Sequence, residues 1–157
     1  MPGPWRPSKI VSGGQTGADR AALDAALALG IPHGGWVPLG RRAEDGRIPD
    51  RYKLRETDSA DYAVRTEKNV QDSDATLVVT RGPAERGSAL TLGMARKHAK
   101  PCLHLDLLEL DEEAAVSKLR RWLDEVRPAT LNVAGPRAST DPAVYPAVRT
   151  LLRAALG

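Results

Sequence analysis

The sequence predicts an α/β fold, a Rossmann-like three-layer α/β/α sandwich with a mostly parallel sheet of five or more strands. Short apolar segments alternate with longer helix-like segments along the chain. The 14 Gly and 12 Pro among 157 residues punctuate these segments. Strand–helix alternation is typical of an open parallel sheet with helices on both faces. In such a sheet all strand-to-helix loops lie along one edge, which is where ligands bind.

Five short apolar segments are interpreted as strands. The clearest is 75–80, ATLVVT, because a continuous apolar run of that length suits a strand buried on both faces. The predicted strands are 9–12, a segment containing Trp36 and Val37, 75–80, 101–105 and 130–134.

Five segments are interpreted as helices. The first is rich in Ala and Leu and stops at Gly30, a residue suited to ending a helix. Asp111 is predicted to cap the fourth, and Asp141 with Pro142 to open the fifth, although Pro146 delays or bends its start. The predicted helices are 18–29, 62–72, 88–99, one following Asp111 and one following Asp141.

Composition bounds the class of protein. The chain is 41% hydrophobic and 27% charged, which favours a folded globular protein over disorder. We expect a flexible N-terminal segment, 1–8, and one ligand-binding domain, 9–157. No apolar run approaches the roughly 20 residues of a membrane span, residues 1–7 do not form a secretory signal, and Cys102 is the one cysteine. A cytoplasmic location without membrane contact is therefore expected. The net charge of +3 permits an anionic partner.

Glycine-rich loops follow the predicted strands and are the candidate ligand-binding segments. Residues 12–19, SGGQTGAD, stand between a strand and a helix, where glycines let the backbone approach a ligand and a helix N-terminus attracts an anion. The same glycines would equally serve a tight turn and close helix–strand packing.

A second loop, 81–88, follows the third strand. It has the glycine spacing of a P-loop, but Ser88 stands where that motif needs Lys, so a Walker-type ATPase is disfavoured. Backbone amides and hydroxyls could still hold a phosphate here, or the loop could be a surface turn capped by Ser88. The candidate binding residues of all the loops are Gly13, Gly14, Gln15, Thr16, Gly17, Asp19, Gly82, Gly87, Ser88, Thr91, Gly135 and Arg137.

Residues 39–61 form a long connection with balanced charge, interpreted as a lid or a subunit contact. The three histidines show no metal-ligand spacing, and no metal site is predicted. No Ser lies in a G-x-S-x-G elbow, so no hydrolase triad is supported. No residue is assigned as catalytic.

Residues 10–24, IVSGGQTGADRAALD, resemble the opening of the molybdenum carrier family (molybdenum cofactor carrier proteins), within the LOG/DprA-like (SLOG) superfamily. Blocks 40–46, 65–70 and 131–137 match as well, so the resemblance covers nearly all of the chain from Lys9. It implies a Rossmann-like fold, bound molybdenum cofactor or molybdate, and assembly into a homo-oligomer, with a tetramer as the expected form.

Three functions stay open at this point. The leading one is a non-catalytic carrier that holds an anionic phosphorylated small molecule. LOG relatives hydrolyse nucleotide 5′-monophosphates with a P-G-G-x-G-T-x-x-E motif, but Arg20 stands at the place of that Glu. A nucleotide-binding enzyme that cleaves an N-glycosidic bond, with Asp19 or Glu85 as acid/base, is the alternative. A DNA-binding module is the third, disfavoured because the basic residues are dispersed without interleaved aromatics.

Overall fold

The structure is a computed structural model and describes residues 5–157. The first half of segment 1–8, which the sequence predicts to be flexible, lies outside the described residues. Residues 5–8 are anchored to segment 124–129 by hydrogen bonds. The Trp5 amide donates to Asp124 Oδ1 at 2.8 Å and its indole Nε1 donates to the Pro128 carbonyl at 2.9 Å.

Nine strands and five helices follow one another along the described chain. In order they are β1 (Lys9–Val11), α1 (Ala18–Leu29), β2 (His33–Gly34), β3 (Trp36–Val37), β4 (Arg42–Ala43), β5 (Gly46–Arg47), β6 (Arg55–Glu56), α2 (Tyr62–Asp72), β7 (Ala75–Thr80), α3 (Arg86–Lys97), β8 (Cys102–Asp106), α4 (Glu112–Val126), β9 (Thr130–Ala134) and α5 (Val144–Leu156).

The central sheet has five strands in the order β2-β1-β9-β7-β8, all parallel. This confirms the predicted α/β class. The last strand of the chain, β9, inserts between β1 and β7. If strands are counted from β9 as the first, the order becomes 3-2-1-4-5, as in dinucleotide-binding sheets. The switch point, where ligands bind in such sheets, then lies between β9 and β7.

Helices cover both faces of the sheet. On one face α1, α4 and α5 pack together over the apolar side chains of the strands, among them Leu77, Val79 and Val133. On the other face α2 and α3 pack together. That face carries polar residues: Asn132 Nδ2 donates to Thr76 Oγ1 at 3.3 Å, and both residues are buried.

Strands 9–12 and 101–105 are shifted or shortened by one residue, to Lys9–Val11 and Cys102–Asp106, and three further predictions differ from the structure. Trp36 and Val37 form β3, which pairs with β6 in a separate two-stranded sheet, and the second strand of the main sheet is β2. Helix α3 begins at Arg86, two residues before the predicted start. Helix α5 begins at Val144, because Asp141 accepts the Ala143 amide in a turn that precedes the helix.

The charged connection 39–61 is folded. It contains the β4–β5 hairpin and β6, and it covers a small second apolar cluster of Leu23, Val37, Ala43, Ile48 and Tyr52, with Leu54 packed against it. The buried Arg41 guanidinium ties the connection together by donating to three backbone carbonyls, those of Ile48, Pro49 and Tyr52.

Candidate functional site

A cavity of about 590 Å³ opens at the switch point between β9 and β7. Its walls are the loops that follow β1, β7 and β9, completed by one side of α2 with Arg65 and Asn69. Three strand-to-helix loops thus meet at one edge, as the sequence predicts. The volume lies within the range of small-molecule sites, roughly 300–1,000 Å³.

Eight of the twelve candidate residues line this cavity and four do not. The eight are Gly13, Gln15, Asp19, Gly87, Ser88, Thr91, Gly135 and Arg137. The other four are Gly14, Thr16, Gly17 and Gly82, which lie outside its lining.

Packing explains why two of those four must be glycine. At Gly17, with φ +80°, an added Cβ would lie 2.4 Å from the Pro136 carbonyl oxygen. At Gly14, with φ +72°, it would lie 2.9 Å from the end of the Ile48 side chain. Both positions combine a left-handed backbone with a close neighbour, which only glycine accommodates without strain. Gly17 lets the start of α1 approach the loop after β9, and Gly14 lets the loop after β1 approach the second apolar cluster.

Three amides at the β1–α1 junction are bonded within the protein. The Gln15 amide donates to Asp19 Oδ2 at 3.3 Å, and the Thr16 amide donates to Gln15 Oε1 at 3.1 Å. The Ala18 amide, in the first turn of α1, donates to the Pro136 carbonyl at 3.1 Å. Within residues 5–157 the amides of Gly13, Gly17 and Asp19 have no acceptor, so this junction keeps only part of its backbone donors for a ligand.

The β7–α3 junction is open. Its N-cap residue, Glu85, makes no side-chain capping hydrogen bond. Within residues 5–157 the amides of Arg86 and Gly87 have no acceptor, and a Cβ on Gly87 would meet nothing within 4 Å. Ser88 and Thr91 are buried beside them. Helix α3 therefore presents free N–H groups and the positive end of its dipole to the cavity.

A buried ion pair, Asp19 with Arg65, forms another part of the wall. The Arg65 guanidinium lies over Gly13, where an added Cβ would stand 2.2 Å from Nη1, and the same Nη1 is 3.8 Å from Asp19 Oδ2. Burial raises the pKa of the Asp19 carboxyl above its ordinary value, while the positive charge of Arg65 opposes that rise. Burial likewise lowers the pKa of Arg65.

Arg65 is not among the predicted site residues, because a charged residue in a polar helix is typical of a solvent-facing surface. The available clue was its place in the matching block 65–70. The backbone of α2 is held in register by Asn69, whose Oδ1 accepts the Trp36 amide at 2.8 Å and whose Nδ2 donates to the Trp36 carbonyl at 3.0 Å. This clamp fixes where Arg65 stands.

Unpartnered buried atoms concentrate at this cavity. In the described part of the chain, three buried side-chain polar atoms lack a hydrogen-bond partner: Gln15 Nε2, Arg65 Nε and Asp141 Oδ2. All three belong to residues of the cavity wall. Leaving such a group unpaired costs about 1–3 kcal/mol, so their concentration at one place favours a functional explanation.

The loop after β9 is tied to the loop after β1 by Glu44, at the tip of the β4–β5 hairpin. Its carboxylate accepts the Ser139 amide at 3.1 Å and the hydroxyls of Ser139 and Thr16. Its own amide donates to Gln15 Oε1 at 2.8 Å. Thr16 thus helps to position the wall, and the hairpin borders the site.

No group of three His, Cys, Asp or Glu side chains suited to a metal ion occurs among residues 5–157. Cys102 is half-buried, and burial raises the pKa of its thiol to about 11, so it is not an activated nucleophile. None of the described helices has both the length and the apolar character of a membrane span.

The comparisons agree on one family. Residues 10–156 match the model of the circularly permutated YpsA SLOG family. A crystal structure of a "putative molybdenum carrier protein" from Syntrophus aciditrophicus is 50% identical, covers 98% of both chains and superposes with a TM-score of 0.97. No curated protein matches the chain.

Proposed function

Because the chain belongs to the circularly permutated YpsA SLOG family, we propose that its cavity binds an anionic phosphorylated small molecule. The molybdenum cofactor is the leading ligand, and molybdate its inorganic counterpart. One observation carries the proposal: the free amides at the N-terminus of α3 open into a cavity in whose wall two buried side-chain donors, Gln15 Nε2 and Arg65 Nε, also lack a partner.

The first support is a place for the phosphate. The free amides of Arg86 and Gly87 and the hydroxyl of Ser88 stand at the positive end of α3. A dianionic phosphate there accepts hydrogen bonds from donors that the protein leaves unused. Arg137, on the opposite loop, supplies a counter-charge.

The second support is a place for the rest of the ligand. A cavity of about 590 Å³ exceeds what a tetrahedral oxyanion needs and suits a phosphate joined to a ring system. Gln15 and Arg65 bring buried donors without partners to its wall, which fits oxygen-rich groups. The name of the Syntrophus protein makes a molybdenum-containing ligand the first to test.

The test is to identify what the protein carries. Gently purified protein is examined by native mass spectrometry for a bound small molecule and by elemental analysis for molybdenum. We expect a phosphorylated organic ligand with about one molybdenum per chain. Finding a nucleotide and no molybdenum would identify the ligand as a nucleotide instead of the cofactor. If direct titration shows binding of neither molybdenum-containing ligands nor nucleotides, the proposal is contradicted.

An alternative is cleavage of a nucleotide N-glycosidic bond, favoured by the raised pKa of the buried Asp19. A raised pKa brings a carboxyl closer to the range in which it can serve as a general acid or base, and Asp19 and Glu85 both line the cavity. The purified protein is incubated with a panel of nucleoside 5′-monophosphates. Release of free base that is lost in Asp19→Asn supports the enzyme, and intact binding without release supports the carrier.

Assembly into a homo-oligomer, with a tetramer as the expected form, belongs to the same proposal. Large apolar side chains are exposed on the surface, with Leu108 64% and Leu39 51% accessible. Light scattering coupled to size-exclusion chromatography is expected to give four times the mass of the chain, and a monomer contradicts it.

A further inference from the structure

Three arginines surround one aromatic ring at the margin of the cavity. The guanidinium carbons of Arg42, Arg65 and Arg137 lie 4.8, 5.3 and 5.3 Å from the centre of the Tyr62 ring. They come from separate segments: β4, α2 and the loop after β9. Arg65 and Arg137 also line the cavity, so this arginine triad adjoins the site.

The nearby carboxylates do not balance the positive charge of the arginine triad. Asp45 is held by Arg20 through two hydrogen bonds of 2.9 and 3.1 Å. Glu44 is held by Ser139 and Thr16. Two carboxylates therefore face the three guanidinium groups: Asp19, 3.8 Å from Arg65, and Glu44, whose charge also acts on Arg137.

The guanidinium donors of the triad are also underused. Arg42 donates to one carbonyl, that of Ala60, at 2.9 Å. Within residues 5–157 the Arg137 side chain makes neither a hydrogen bond nor an ion pair, and Arg65 Nε is buried without a partner. Three positive charges around one ring repel one another, and their cation–π attraction to the ring offsets this only in part. A bound anion would supply the missing charge and acceptors.

We propose that the arginine triad holds a second anionic group of the ligand, separate from the phosphate at the N-terminus of α3. The inference rests on the proposed function and refines it: the ligand class is a molecule with two separated anionic groups. Tyr62 holds the three guanidinium groups together by its ring face, and Arg42 belongs to this second position alone.

The experiment compares two probes by isothermal titration calorimetry, adenosine 5′-monophosphate and adenosine 3′,5′-bisphosphate. The second phosphate should tighten binding about tenfold in the wild-type protein, equivalent to about 1.4 kcal/mol. In Arg42→Gln the ratio of the two affinities should fall to about twofold or less.

Arg47→Gln is the matched control. Arg47 is the register partner of Arg42 in the same hairpin, carries the same charge and is exposed, but it pairs with Asp50 at 2.7 Å. The ratio should stay near tenfold in this variant. The inference is overturned if the wild-type protein binds the two probes equally, or if the ratio of the two affinities is the same in Arg42→Gln and Arg47→Gln. In either case binding of adenosine 5′-monophosphate still upholds the proposed function. Binding of neither probe overturns the inference, while a copurified phosphorylated ligand with molybdenum would still uphold the proposed function.

Discussion

Two glycine-containing junctions border the cavity, β1–α1 and β7–α3. Both have the pattern of strand, loop and helix, but they differ in how their backbone amides are bonded. At the first, the backbone donors of Gln15, Thr16 and Ala18 are bonded within the protein. At the second, the amides of Arg86 and Gly87 have no acceptor within residues 5–157, and a Cβ on Gly87 would meet open space. The first junction uses several of its donors to build the wall, and the second keeps the first two amides of its helix for an anion.

The difference shows that a glycine-rich motif indicates where a strand-to-helix loop lies in the fold, but does not by itself indicate that the loop contacts a ligand. Gly17 is required because the Pro136 carbonyl would lie 2.4 Å from a Cβ. The shorter, less regular motif around Gly87 holds the unused donors. Which junction binds depends on what each amide already bonds to, and the motif alone does not contain that information.

The largest contrast is expected between Gly17→Ala and Gly87→Ala. Gly17→Ala adds left-handed strain and a backbone clash, so we expect a loss of about 2–4 kcal/mol in the free energy of unfolding. Gly87→Ala meets open space inside a helix, so a gain of about 0.5 kcal/mol is expected. Denaturant unfolding measures both. Similar stabilities of the two variants would remove the distinction between the junctions.

The second prediction tests whether the β7–α3 junction binds the phosphate. Ser88→Ala removes a hydroxyl beside the free amides of α3, and we expect the affinity for adenosine 5′-monophosphate to fall roughly tenfold, as for a lost hydrogen bond to a charged group. Titration calorimetry measures it. Ser117→Ala, an exposed serine on α4, is the control and should bind as the wild type does. An unchanged affinity in Ser88→Ala argues against a phosphate at this position.

A smaller contrast concerns pH, because the fold raises the pKa of Asp19 at the first junction and lowers the pKa of Asp106, which accepts the Gly82 amide of the second. Burial raises the pKa of Asp19, so its folded form binds protons more tightly than its unfolded form, and its contribution to stability falls as pH rises above its ordinary value of 3.8. The amides of Gly82 and Leu108 lower the pKa of Asp106, so its contribution is present above 3.8 and is lost as pH falls through the lower folded value.

These signs are checked with Asp19→Asn and Asp106→Asn, by measuring the free energy of unfolding between pH 3 and 6. The stability advantage of wild type over Asp19→Asn should shrink as pH rises, and its advantage over Asp106→Asn should grow. Parallel pH dependence of the two differences contradicts the assignment.

The smallest effect is expected at the hairpin tip. Glu44 is exposed, and hydrogen bonds from Ser139 and Thr16 outweigh its partial burial and lower the pKa of its carboxyl. Glu44→Gln should cost less than about 1 kcal/mol in thermal or denaturant unfolding. It should loosen residues 137–139, seen as faster amide hydrogen exchange there. Unchanged exchange would mean that the hairpin does not hold this loop.

The sequence predicted the helices and strands that have a strong pattern. Helices 18–29 and 62–72 and strand 75–80 have the bounds predicted. It did not predict β2, because two residues, His-Gly, carry no strand pattern. Nor did it predict the strand order, since the place of β9 between β1 and β7 is decided by pairing across the sheet.

The site was predictable to the level of its loops. Gly13, Asp19, Ser88 and Arg137 do line one cavity, because parallel strands bring their carboxyl ends to one edge. Arg65 was missed because its burial depends on a contact with Gly13, 52 positions away in the chain, that no local pattern contains.

If an anion binds at the N-terminus of α3, titrating ¹⁵N-labelled protein with adenosine 5′-monophosphate should shift the amide signals of Arg86, Gly87 and Ser88 most, and those of Gln15, Thr16 and Gly17 little. Large shifts confined to residues 13–18, with the signals of α3 unchanged, would place the anion at the β1–α1 junction instead.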